Sequence, residues 1–160
     1  MSEARTVRDA VIAAMRESRG AEAASPIDAA GASVEALVAS AAQAGGDAGA
    51  AATQAVEAAL QGATRVGVNA LEAVSAAAGA AVRGAAQSGG DVGGVARCAI
   101  EGAVSGAKDL GVDAPEVAAA AATGAIDAAG ALGGRAAEVV QREANGVIGG
   151  VKVIVKDTLK

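Results

Sequence analysis

The sequence predicts an all-α fold: six 22-residue helices, grouped as three 44-residue antiparallel pairs, plus an N-terminal helix. They would stack as an α-solenoid or a compact helical bundle, with a possible short C-terminal strand. Three observations predict this. Helix-start and helix-stop residues recur every 22 positions, larger apolar residues recur at the same step, and the 160 residues include 23 Gly and no aromatic side chain.

The start signals are Ser25, Asp47, Asn69, Asp91 and Asp113, one per unit, with Arg135 continuing the column. The first five are residue types whose side-chain oxygen accepts an unpaired backbone N–H of the first turn. Asp28, Glu72, Glu116 and Glu138 follow three residues later. That spacing resembles a capping box, and a carboxylate there also suits the positive end of the helix dipole. Each unit closes on glycine, at Gly45-Gly46, Gly67, Gly89-Gly90, Gly111 and Gly133-Gly134. Glycine just past the last turn accepts the left-handed conformation that ends a helix.

The interior columns keep the same step. Val38, Leu60, Val82, Val104, Ile126 and Ile148 are each one unit apart. A longer period overlies it. Ala42-Gln43-Ala44-Gly45-Gly46-Asp47 matches Ala86-Gln87-Ser88-Gly89-Gly90-Asp91, and Arg65-Val66-Gly67-Val68-Asn69 matches Asp109-Leu110-Gly111-Val112-Asp113. The building block is therefore a helix pair, over 25–68, 69–112 and 113–156. Linkers of a few residues make sequential helices antiparallel, and such pairs stack into solenoids or bundles. The domain reading is an amphipathic capping helix over 1–24, a repeat domain over 25–156 and a tail over 157–160.

Each helix carries three stripes. The first holds the larger apolar residues, such as Val95, Ile100, Val104 and Leu110, on one side of a 3.6-residue helix. The second holds small residues four apart: Ala58/Gly62, Ala80/Gly84, Gly102/Gly106, Gly124/Ala128 and Gly146/Gly150. Such pairs let two backbones approach closely, so these ten residues are the expected helix-packing sites. The third is polar, with Glu35, Glu57, Glu101, Thr123 and Asn145 in one column and Gln61, Arg83, Ser105 and Asp127 four residues on. It reads as a solvated face, with a ladder contacting a partner as the alternative.

Composition excludes much chemistry. The chain has no His and a single Cys98, so the common zinc and haem ligand sets and Ser-His or Cys-His catalysis are not expected. Cys98 reads as a small buried apolar residue. The glycine pairs are helix stops and no phosphate-loop motif is present. No enzyme activity, cofactor, metal or small-molecule substrate is expected. Residues 25–134 carry four basic and eleven acidic side chains, which argues against nucleic acid. Charges run through the first twenty residues and no stretch is long and apolar enough to span a membrane. The expectation is a cytoplasmic protein.

The two ends differ from the middle. The N-terminal helix, with Arg5, Arg8, Arg16 and Arg19 among Val7, Val11, Ile12 and Met15, would cap the stack. At the other end Val151-Lys152-Val153-Ile154-Val155-Lys156 is rich in β-branched residues. Repeat register predicts helix there, and local propensity predicts strand. A lone strand needs a partner, so Val151, Val153, Ile154 and Val155 are the expected contact with a second copy.

Residues 69–160, with their Gly-Gly-Asp caps, Glu-Gly-Ala-Val, Thr-Gly-Ala-Ile and closing Gly-Gly-Val-Lys-Val-Ile-Val-Lys, resemble Ala/Gly-rich bacterial helical-repeat proteins of no assigned activity. In composition the chain is also similar to phasins, the coat proteins of polyester granules. The functional expectation is a non-catalytic structural protein that self-associates into an oligomer, filament or shell. The alternatives are an amphipathic coat on a lipid or polymer surface, as the resemblance to phasins implies, and an adaptor solenoid that binds a protein.

Overall fold

In the computed structural model, residues 3–18, 25–148 and 150–153 are described. Seven helices follow in order: α1 (Glu3–Ser18), α2 (Pro26–Gln43), α3 (Ala48–Val66), α4 (Ala70–Gln87), α5 (Val92–Leu110), α6 (Ala114–Leu132) and α7 (Gly134–Ala144). A short hairpin, β1 (Gly146–Ile148) and β2 (Val151–Val153), ends the described chain.

The caps fall where the 22-residue column puts them. Ser25, Asp47, Asn69, Asp91 and Asp113 each accept a backbone N–H from three residues on, at 3.0–3.3 Å. The helix ends keep the 22-residue step, each turning through a left-handed glycine at Gly45, Gly67, Gly89 and Gly111. After α3 and α5 the chain turns through left-handed Gly67 and Gly111, with Val68 and Val112 donating back to Ala63 and Ala107. After α2 and α4 the closing bonds run from Gly46 to Ala41 and from Gly90 to Ala85, both at 2.8 Å. All four ends therefore close with the same bond to the carbonyl five residues back, and the alternation lies in the donor residue, Gly46 and Gly90 against Val68 and Val112.

Packing follows the same alternation. Helices two apart in sequence make the most extensive contacts, so α2, α4 and α6 form one row and α1, α3, α5 and α7 the other. Sequential helices meet across the two rows. No substantial contact joins α1 or α2 to α6 or α7. The described helices therefore form a two-row stack, within the all-α class expected. Its interior is alanine methyls punctuated by fully buried Met15, Val34, Val56, Leu60, Val74, Ile100 and Ile126, among others.

The sixth unit departs from the expected 22-residue helix. Its helix starts two residues ahead of the column, with Gly133 at the cap position offering no side chain and Arg135 already inside α7, and it stops at Ala144. Gly146 and Gly150 adopt φ of 113° and 82°, values that disfavour any residue with a Cβ. Between them the β-branched residues take the strand conformation that their propensity favours. Gly146 pairs with Val153 and Ile148 with Val151 in antiparallel register. Ile148, Val151 and Val153 are buried against the stack, with β2 lying on α6 and β1 touching α5. The hairpin covers the end where an eighth helix would have packed.

Candidate self-association surface

The small-residue columns meet the neighbouring helix of their row by a single rule. A Cβ placed on Gly84 of α4 would lie 2.6 Å from the Glu35 carbonyl oxygen of α2. On Gly106 of α5 it would lie 3.0 Å from Leu60 Cδ2 and 3.6 Å from Glu57 Cα of α3. On Gly102 it would stand 2.9 Å from the Thr53 carbonyl carbon, and on Gly124 of α6 2.7 Å from the Ser75 carbonyl carbon. Gly79 faces the Gly124 carbonyl oxygen and Ala128 Cβ, and Gly31 faces Ala80 Cβ. In the pairs 31/80, 35/84, 53/102, 57/106, 75/124 and 79/128 the partners are always 49 positions apart. One 22-residue unit thus repeats one interface, in which main chains touch where a side chain would hold them apart.

This places the residues expected at the packing sites. Ala58, Gly62, Ala80, Gly84, Gly102, Gly106, Gly124 and Ala128 are buried in their helices, and the contacts found for Gly62, Ala80, Gly84, Gly102, Gly106, Gly124 and Ala128 lie on helices of the same chain. Gly62 packs on Met15 Sδ and Ile12 of α1. Gly146 and Gly150 are corrected: they lie in the hairpin and are no helix pair. Val151 and Val153, expected to contact a second copy, lie in β2, which pairs along one edge with β1 of the same chain, and their side chains are buried against the stack. Ile154 and Val155 lie outside the described residues.

In the polar columns Ser105, Thr123, Asp127 and Asn145 are exposed, while Glu35 and Glu57 are engaged by neighbouring helices. Glu35 on α2 binds Arg83 of α4 at 3.4 Å and also accepts from the Gln87 amide. Glu57 on α3, its side chain 16% exposed, lies 3.8 Å from Arg8 of α1. Burial first, and then the neighbouring Asp109 carboxylate of α5, push the Glu57 carboxyl above its ordinary range, against the pull of Arg8. Thr53 adds a bond that sequence reasoning missed. Its Oγ1 lies 2.9 Å from the Cys98 carbonyl oxygen of α5 and 3.1 Å from that of Gly49 in its own helix. Cys98, expected to be buried, is half-buried, and burial raises its thiol pKa. That setting suits a packing residue better than a nucleophile.

Among the described residues, no helix packs on one face in the small-residue register. On α2 the column equivalent to Ala58/Gly62 is Ala36/Ser40, and both residues are exposed. Ala32, Ala36 and Ser40 form a ridge four residues apart, flanked by half-buried Ala29, Ser33, Leu37 and Ala41. A groove of about 370 Å³ runs beside it, with Val7, Leu37, Ala41 and Ala51 among its apolar lining and Asp47 and Gln54 among its polar lining. Toward the ridge α2 offers one charged residue, Asp28 at its first turn. The neighbouring end helix α1 instead exposes Arg8, Asp9, Arg16 and Glu17. This asymmetry was hidden in the sequence, because α2 shares its alanine content with every other unit. The signal that could have revealed it is that Ala36/Ser40 continues the small column one unit before its first partner.

Among the described residues no group of three or more His, Cys, Asp and Glu side chains is placed to hold a metal. No described helix is long and apolar enough to cross a membrane. Comparison with protein-family models and with curated proteins finds no match.

Proposed function

We propose that this is a non-catalytic structural protein whose role is to self-associate into a larger assembly. The observation that supports this reading most is the open ridge of α2. The remaining small-residue columns are spent inside the chain, so the free one at Ala32, Ala36 and Ser40 is the surface left for a close-packed contact. A helix face that is apolar and almost uncharged gains more from a packed partner than from water. Self-association proceeds through this face and not through the columns already filled.

The coat and adaptor readings have weaker support. A coat on a lipid or polymer surface would use the Val/Ile/Leu stripe, yet Val34, Val56, Leu60, Val82, Ile100, Val104 and Ile126 are buried. Exposing them would unpack the stack. An adaptor would present the polar column, yet Glu35 and Glu57 are engaged by neighbouring helices. Sedimentation velocity over a hundredfold concentration range tests the proposal. Association that strengthens with concentration is the expected result; a 14.9 kDa monomer throughout would overturn it.

A further inference from the structure

Asparagine is a chemically labile residue, and the two asparagines of this chain stand in opposite settings. Asn69 is followed by Ala70 and Asn145 by Gly146. Asn69 caps α4: its side-chain oxygen accepts the Glu72 N–H at 3.1 Å, and Ala70 already lies in the helix. Asn145 stands past the last turn of α7, with φ of −87° and ψ of 143°. Gly146 opens β1 at a φ of 113°. Both Asn145 and Gly146 are exposed. A Cβ built on Gly146 would meet nothing within 4 Å, so the space around the joining peptide is open. The Asn145 side chain is tethered by an exposed bond, from Nδ2 to the Gln141 carbonyl oxygen at 2.9 Å.

We propose that Asn145-Gly146 is a self-modification site, where the chain converts its own asparagine to isoaspartate or aspartate with water as the reactant. The Gly146 backbone nitrogen loses its proton and attacks Cγ of Asn145. An N–Cγ bond forms, the Cγ–Nδ2 bond breaks, and the side-chain nitrogen takes up a proton and leaves as ammonia. The product is a five-membered succinimide. Water then opens the ring. Addition at Cγ gives aspartate; addition at the main-chain carbonyl carbon gives isoaspartate, whose backbone runs through Cβ and Cγ. In sum a water enters and an ammonia leaves, with no oxidant or cofactor. Ring closure turns the Asn145 ψ away from 143°. Glycine allows that turn and leaves the attacking nitrogen unshielded. The α4 cap, with Ala70 held in the helix, does not.

The position decides the consequence. Nδ2 and the backbone N–H of Asn145 both donate to the Gln141 carbonyl, the latter at 3.2 Å. A carboxylate there removes a donor and puts negative charge at the negative end of the α7 dipole. Isoaspartate also lengthens the main chain by one carbon at the entry to β1, just before the Gly146 and Val153 pair. That entry sets where Ile148, Val151 and Val153 lie, buried, with the hairpin on α5 and α6. Modification therefore loosens the hairpin, and it runs one way. This goes beyond the self-association proposed above and does not depend on it.

The test incubates the folded full chain at mildly alkaline pH and digests it with pepsin in acid. Tandem mass spectrometry with electron-transfer fragmentation then separates isoaspartate from aspartate. Residue 145 should acquire the amide-to-acid mass shift progressively, mostly as isoaspartate, with Asn69 unchanged. Asn145→Gln keeps the amide donor and should abolish the shift, with an unchanged helical circular dichroism spectrum. Hydrogen exchange should show lost protection across 146–153 in the aged parent, and none in aged Asn145→Gln. An Asn145 that stays intact in the folded chain would overturn the proposal, and conversion in a peptide of residues 141–150 would then show that the fold locks the joint. Conversion that leaves the protection of 146–153 unchanged would overturn the loosening of the hairpin.

Discussion

Replacing Gly102 by alanine tests the claim that backbone contact holds the stack together. Two effects oppose each other. An alanine in a helix interior is favoured over glycine by about 1 kcal/mol. The new methyl, however, would sit 2.9 Å from the Thr53 carbonyl carbon and 3.0 Å from its Cα, with the carbonyl oxygen nearer still. Ordinary contact begins near 3.4 Å, and these are main-chain atoms of α3 that no rotamer change can move. The helices must separate by several tenths of an ångström, which also loosens the Thr53 bond to the Cys98 carbonyl. Overpacking of this kind costs typically 1–3 kcal/mol, and a neutral hydrogen bond is worth about 1 kcal/mol. The net expectation is destabilisation by about 1–2 kcal/mol, or a fall in Tm of roughly 2–8 °C for a chain of this length. Gly130→Ala is the control. Gly130 is inside α6, exposed, and has nothing within 4 Å of the added methyl, so helix propensity alone should raise stability by up to about 1 kcal/mol. Both are read by urea and thermal unfolding followed by circular dichroism at 222 nm. If Gly102→Ala proved as stable as Gly130→Ala, the close-approach reasoning would be wrong.

The remaining expectations concern caps, charge and the closing hairpin. Asn69→Ala, which deletes the acceptor for the Glu72 N–H, should cost about 0.5–2 kcal/mol in the same unfolding assay. The Glu57 carboxyl has a raised pKa in the folded chain, so the folded state holds its proton more tightly than the unfolded state. Its stabilising effect is then full below the ordinary value of 4.5 and is lost as pH rises through the raised folded value. Urea titrations at several pH values should show the parent losing stability relative to Glu57→Gln over that window; equal pH profiles would exclude the burial effect. Ile148→Ala, in a fully buried hairpin position, should cost about 2–5 kcal/mol locally. Hydrogen exchange should then accelerate in α5 and α6, which the hairpin touches, and in the adjoining α7 first, leaving α2 to α4 close to parent rates, since each helix contacts only near neighbours.

Much of the helical order was legible because it is written locally. A serine, asparagine or aspartate every 22 residues states where a helix begins, and the glycines state where it ends, without reference to any distant residue. The row arrangement was only half legible. Alternating helix ends revealed a two-helix unit, but the 49-residue offset depends on how Gly84 meets Glu35 and Gly102 meets Thr53, which no single segment encodes. The last unit set two rules against each other. Its register favoured helix, while Gly146, Gly150 and the β-branched run favoured a hairpin, and burial of Ile148, Val151 and Val153 on the stack decided it. The open ridge was illegible for a related reason. Ala36 is like any other alanine of the chain until it is known that no helix lies before it.

The constant offset also bears on how such a molecule can change size. Because α4 meets α2 as α6 meets α4, a 44-residue block presents the same two seams to whatever stands before and after it. Duplicating or excising one block in frame would leave the surviving seams intact and alter only the distance between the charged opening helix and the closing hairpin. Length in this architecture is therefore a heritable variable that can be adjusted by copying a segment, with no need to redesign a core.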